Sequence, residues 1–142
     1  METESTPTIT VQTLINAPTK KVWEFWTEPQ HITQWTFASD DWHAPYAEND
    51  LRIDGKFKTT MAAKDGSMRF DFEGVYTDVQ SYRQIEYVLG DGRRVSISFE
   101  SEGNVTTVIE TFDPESMNSV ELQKNGWQSI LDNFKKYVES AV

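Results

Sequence analysis

The chain has 142 residues, no cysteine, and 13 basic against 23 acidic residues, a formal net charge of −10. That length fits one domain able to bury roughly 70% of the surface its unfolded form exposes. The composition excludes disulfides and thiol nucleophiles, fits a reducing cytoplasmic setting, and gives an acidic surface that repels nucleic acid and anionic membranes.

The opening METESTPT is polar, with neither a basic start nor an apolar run. It reads as a disordered tail over 1–7 ahead of a single domain at 8–142, and not as a signal peptide. TITVQTLI (8–15) alternates and is β-branched, so it predicts a strand. In NAPTKKVWEFWTEP, Pro18 suits a first helical position, Val22, Trp23, Phe25 and Trp26 form the apolar face, and Pro29 ends the helix. PQHITQW predicts a second short helix, and DDWHAPYAEND, with Pro45 inside it, a broken or edge strand.

From Gly55 the pattern becomes a meander. KFKTTMAA alternates, and KDGS (64–67) carries the Asp-Gly of a hairpin turn. In MRFDFEGVYTDV, Met68, Phe70, Phe72, Gly74 and Tyr76 share one face, while Arg69, Asp71, Glu73 and Thr77 share the other. That is an antiparallel sheet covered on one side. RQIEYVL and RVSISFE repeat the alternation around the turn GDGR (90–93). EGN (102–104) turns into VTTVIETF, where both faces are mixed and neither is marked as inward. Asn118 or Ser119 caps a last helix running to about Ala141. Its apolar residues Trp127, Ile130, Leu131, Phe134, Tyr137 and Val138 fall at steps of three and four.

The order predicts an α+β fold. A curved antiparallel sheet of six to seven strands is followed across its face by the long C-terminal helix, with two short helices after the first strand. The first strand closes on the last ones, and the geometry leaves room for a cavity under the helix. Gly74 marks a bend or a close approach in mid-strand, and Gly126 close packing or a kink beside Trp127.

Five stretches carry a resemblance to a known family. They are INAPTKKVWEFWTEPQHITQW (15–35), WHAPYAENDLRIDGKF (42–57), FDFEGVYTDV (70–79), IEYVLGDGRRVSISFE (85–100), and TVIETFDPE with NGWQSILDNFKKYVE (107–139). Together they resemble the C-terminal domain family of the activator of the heat-shock-protein-90 ATPase, within the START-like, helix-grip superfamily of polyketide cyclases and lipid-transfer proteins. The resemblance implies the helix-grip fold, a cavity for a small hydrophobic molecule, and a chaperone contact. It implies no shared catalytic residues.

The residues themselves give little chemistry. His31 reads as a surface helical residue and His43 as a turn residue, and two histidines without cysteine fall short of a zinc ligand set. Ser96 and Ser98 lie on the wet strand face, with no nucleophile elbow. Asp71 and Glu73 read as solvated, and Arg52, Arg69 and Arg93 as solvated ends. No cofactor, metal or catalytic residue is assigned.

The expected function is binding of an aromatic or lipid-like molecule by a monomer, without nucleic acid or membrane insertion. The alternatives are a co-chaperone-type interaction domain and a cyclase or hydrolase using the same cavity. The candidate ligand-binding residues are Trp26, Trp35, Phe57, Met61, Phe70, Phe72, Tyr76, Tyr87, Phe99, Trp127 and Leu131. Ile85 and Ile97 share their sheet face, Phe134 the helix roof, and Ile32 and Phe37 the expected mouth.

Overall fold

The computed structural model describes residues 8–141. The tail expected at 1–7 and the terminal Val142 lie outside them. Strand β1 (Ile9–Ile15) leads into helices α1 (Thr19–Thr27) and α2 (Pro29–Ile32). Six strands follow, β2 (Trp42–Asn49), β3 (Lys56–Ala63), β4 (Arg69–Gln80), β5 (Gln84–Leu89), β6 (Arg94–Glu102) and β7 (Val105–Phe112). Helix α3 (Val120–Ser140) closes the chain. The seven strands form one antiparallel sheet in the order β1-β7-β6-β5-β4-β3-β2, so the first strand does close on the last. This is the α+β helix-grip architecture.

Local chemistry explains the joints. The hairpins at 64–67 and 90–93 turn on Gly66 and Gly92, with φ of +81° and +94° that a side chain would strain. β2 is an edge strand, and its pairing with β3 shifts between His43 and Tyr46, where Pro45 can supply no ladder hydrogen bond. A second register shift lies between Tyr76 and Asp78 of β4. It inserts a residue, so the inward set passes from Phe72, Gly74 and Tyr76 to Val79, which packs against the core.

Pro18 departs from its expected place. It is the N-cap of α1, extended at ψ 152°, with its carbonyl accepting from Lys21 N and Val22 N. Ser119 caps α3 by accepting from Leu122 N at 3.0 Å, and Ala141 is the C-cap rather than part of the helix.

α3 lies against β1 and over the concave side of the sheet. Leu131, Phe134 and Val138 are fully buried. Asn133 Nδ2 donates to the Trp35 carbonyl at 3.0 Å, Lys135 Nζ donates to the Leu14 carbonyl, and Asn16 N donates to Glu139 Oε2 at 2.9 Å. These bonds pin the second half of the helix. Among the described residues no helix is long and apolar enough to cross a membrane.

Candidate functional site

A cavity of about 410 Å³ lies under the first half of α3, a volume typical of small-molecule pockets. Side chains alternate along a strand, so β3 contributes Phe57, Thr59 and Met61 to its floor, β4 Phe70, Phe72 and Tyr76, and β5 Ile85 and Tyr87. The roof is Leu122, Gln123, Gly126, Trp127 and Ile130. Trp26, Ile32 and Trp35 close it from the α1–α2 side, while Arg93, Glu115 and Asn118 come from loops. Phe70 and Leu122, respectively 47% and 58% exposed, mark its opening to solvent.

Two glycines shape this space in opposite ways. A Cβ at Gly74 would meet the Val88 carbonyl at 2.7 Å and the Phe57 ring at 3.0 Å, so the ring lies directly on the strand backbone. A Cβ at Gly126 would meet nothing within 4 Å. The close packing expected at Gly126 is therefore absent. The missing side chain leaves open volume in the roof.

The walls are aromatic. Phe57 packs against Tyr87, Tyr76 and Phe72 at centroid distances of 4.6, 5.2 and 5.8 Å. Trp127 stacks on Phe112 at 3.8 Å with the planes 12° apart. Trp26 lies 4.8 Å from Trp35 and edge-on to Phe134 at 4.8 Å. The Trp35 indole N–H donates to the Phe25 carbonyl at 3.0 Å, which leaves its ring as an apolar surface.

Most polar groups at the wall are already satisfied. Tyr76 donates its hydroxyl to Asn49 Oδ1, and Asn49 Nδ2 donates to the Thr27 carbonyl at 2.6 Å. Burial is the main cause raising the Tyr76 pKa. Gln123 Nε2 donates to the carbonyls of Glu115 and Asn118 at 3.0 and 2.9 Å, and its Oε1 accepts from Glu115 N at 2.9 Å. The Glu115 carboxylate accepts from Asn118 N at 2.8 Å, from Asn118 Nδ2 and from Met117 N, and these donors hold it below the usual carboxyl range. Arg93 Nε donates to Asp91 Oδ2 at 2.8 Å. Glu110, on β7, is different. It is 6% exposed, and burial pushes its carboxyl up to about 8.

Nine of the eleven candidate ligand residues line this space, namely Trp26, Trp35, Phe57, Met61, Phe70, Phe72, Tyr76, Tyr87 and Trp127. Phe99 and Leu131 do not. Phe99 lies on β6 edge-on to Trp23 at 5.2 Å, and Leu131 is sealed in the core. Ile32 and Ile85 line the cavity, whereas Ile97 and Phe134 are fully buried in the core and Phe37 faces a separate polar depression with Asp40, Asp132 and Lys136.

Three readings of charged residues are corrected. Arg93 lines the cavity instead of ending in solvent, because the 90–93 turn folds beside the loop holding Glu115. His31 is not a free surface residue. It stacks on Phe25 at 4.0 Å, and its Nδ1 lies 2.7 Å from the Tyr137 hydroxyl. His43 is exposed on β2 rather than in a turn.

Glu110 was missed because 105–112 has apolar residues on both faces. Thr106, Val108, Glu110 and Phe112 turn out to be inward. The signal that decides this is the register with β1, where Val11 pairs with Glu110 and Ile9 with Phe112. Among the described residues no three of His, Asp and Glu are grouped to hold a metal ion.

Comparison with known proteins places this architecture. The family described as Activator of Hsp90 ATPase homolog 1-like protein matches residues 16–139. The chain belongs to that family. Its superfamily is the START-like, polyketide cyclase-like one. A solution structure of an AHSA1-like protein from Aeromonas hydrophila is 44% identical, with a TM-score of 0.89 over 95% of this chain and 94% of that one. A solution structure from Cytophaga hutchinsonii is 54% identical, with a TM-score of 0.81 over 93% and 92%. A crystal structure from Nitrosomonas europaea is 16% identical and shares the fold alone, with a TM-score of 0.82 over 100% of both chains. A search of curated proteins gave no match.

Proposed function

We propose that this family member binds a small hydrophobic molecule, aromatic or lipid-like, between its sheet and the first half of α3. The observation that carries the reading is the void itself. Small-molecule sites are concave spaces of a few hundred Å³ lined mainly by apolar and aromatic side chains. Here about 410 Å³ is left open and ringed by Phe57, Phe72, Tyr87 and Trp127. The opening at Phe70 and Leu122 gives an apolar ligand a route in.

The test is a two-dimensional amide NMR titration against fatty acids, flavonoids, polyketides and planar aromatics. Binding should shift amides at Phe70–Tyr76, Tyr87 and Trp127. A flat response to the whole panel would overturn the reading. It would favour the protein-interaction reading instead.

A further inference from the structure

Six polar side chains at the cavity wall are more than nine-tenths buried, namely Thr36, Thr59, Tyr76, Tyr87, Glu110 and Gln123. Thr36 donates to the Ile32 carbonyl at 2.7 Å, and Tyr76 and Gln123 are bonded as described. Thr59, Tyr87 and Glu110 have no such partner among the described residues. Among the described residues no buried side-chain nitrogen or oxygen is sealed away without a partner, so the oxygens of these three reach the open space.

Glu110 is the group that most needs an explanation. In register it sits between Val11 of β1 and Ile97 of β6, both apolar and buried. Sheet spacing puts the Glu110 and Tyr87 Cα atoms two strands and two residues apart, about 12 Å, and the Tyr87 ring packs towards Phe57 of β3 and Phe72 and Tyr76 of β4. Glu110 and Tyr87 sense one another, since the Glu110 charge adds to burial in raising the Tyr87 pKa. A buried carboxyl with no donor is unfavourable when ionised. It becomes favourable when a donor or a cation arrives.

We infer that the cavity selects a hydrophobic amine, a largely apolar molecule whose protonated nitrogen sits on the Glu110 carboxylate. This rests on the binding function proposed above. Charge at the wall agrees with it. The charged lining residues are Glu110, Glu115 and Arg93, and Arg93 is already held by Asp91. A carboxylate headgroup such as that of a fatty acid would meet a net charge of −10 on approach and, above about pH 8 where Glu110 ionises, like charge at the wall.

The experiment is calorimetric titration of the protein with 1-naphthylmethylamine, 1-naphthalenemethanol and 1-naphthoate. These probes share a ring system and differ in the polar group. At about pH 8.5, where Glu110 is largely ionised, the amine should bind about tenfold more tightly than the alcohol, and naphthoate most weakly, as a charged hydrogen bond outweighs a neutral one. Glu110→Gln should remove the amine's advantage and leave alcohol binding within about twofold.

The wild-type protein alone gives a second readout. Amine affinity should rise as pH goes from about 6 to about 8.5, because below its raised pKa Glu110 must first release a proton. Alcohol affinity should not rise. The other titratable groups facing the space are Tyr76 of β4, Tyr87 of β5, and Arg93 and Glu115 on loops, while α3 presents Trp127 and Ile130 there and Glu110's sheet neighbours are Val11 of β1 and Ile97 of β6. Both tyrosines are shifted upward and Glu115 downward, away from this window.

Equal affinity for amine and alcohol, or a preference for naphthoate, overturns the amine assignment while leaving cavity binding standing. No binding by any of the three to the folded protein overturns both. Gly126→Leu, which fills the roof, should abolish uptake of every probe. Persistence of uptake in that variant would put the site elsewhere and overturn the inference. If Glu110→Gln does not fold, the wild-type pH profile decides.

Discussion

At the scale of single residues, Glu110 sets a pH dependence that runs against the usual carboxylate pattern. Its folded pKa is raised from 4.5 to about 8 by burial. Between those values the unfolded chain has lost the proton and the folded one keeps it, so stability falls as pH rises. Asp65, Asp91, Glu115 and Glu139 are shifted downward by hydrogen bonds, and their contribution lies at lower pH. Glu110→Gln should therefore be the more stable protein at about pH 8 by roughly 3–5 kcal/mol relative to the difference at about pH 4. Urea midpoints at the two pH values measure this, and parallel pH profiles for the two proteins would contradict it. The sequence could not show this residue's place. A glutamate among Val105, Val108, Ile109 and Phe112 sits on an inward or an outward face with equal apolar support. By contrast Phe57, Phe72 and Tyr87 were legible, because each is flanked along its strand by charged or small residues that fall on the other face.

At the scale of elements, α3 is two helices in function. Its second half is core, and Phe134 packs between Trp26 and Trp35 at 4.8 and 4.6 Å with no exposure. Phe134→Ala should cost about 3–5 kcal/mol in chemical denaturation. Its first half is a roof. Trp127→Ala leaves a partly exposed site and should cost less stability while changing ligand uptake. Gly126→Ala should stabilise the helix by about 1 kcal/mol, since the added methyl meets nothing. Equal losses for Phe134→Ala and Trp127→Ala, with uptake unchanged, would sink this division. The apolar periodicity of 127–138 gave the helix and its buried face. It could not say where core stops and cavity begins, because Trp127 and Phe134 occupy the same stripe.

At the scale of the whole molecule, the sheet curls around a helix anchored at one end. Asn16 to Glu139, Trp35 to Asn133 and Leu14 to Lys135 anchor the second half of α3, and Gln128 Nε2 adds one bond to the Gln12 carbonyl at 3.2 Å nearer the middle. The other end spans the cavity, with Val120 and Leu122 more than half exposed. Regions with few buried apolar contacts open first. Amides at 120–127 should therefore exchange with deuterium faster than those at 130–139, and a bound ligand should slow the first set selectively. Uniform protection along α3 would argue for a filled interior.

The sequence by itself determined the element order, the helix-grip architecture, the hairpin positions and the aromatic character of the sheet face. These follow from alternation, helical periodicity and turn chemistry, all of which act over a few residues. Only the tertiary structure decided which face of 105–112 turns inward, that Arg93 joins the wall, that His31 is packed on Phe25, and that Gly126 leaves space rather than contact. Each of those depends on register or on the approach of segments distant in the chain. Pairing β1 with β7 places Val11 beside Glu110, and that one registration brings a carboxyl into an apolar cavity.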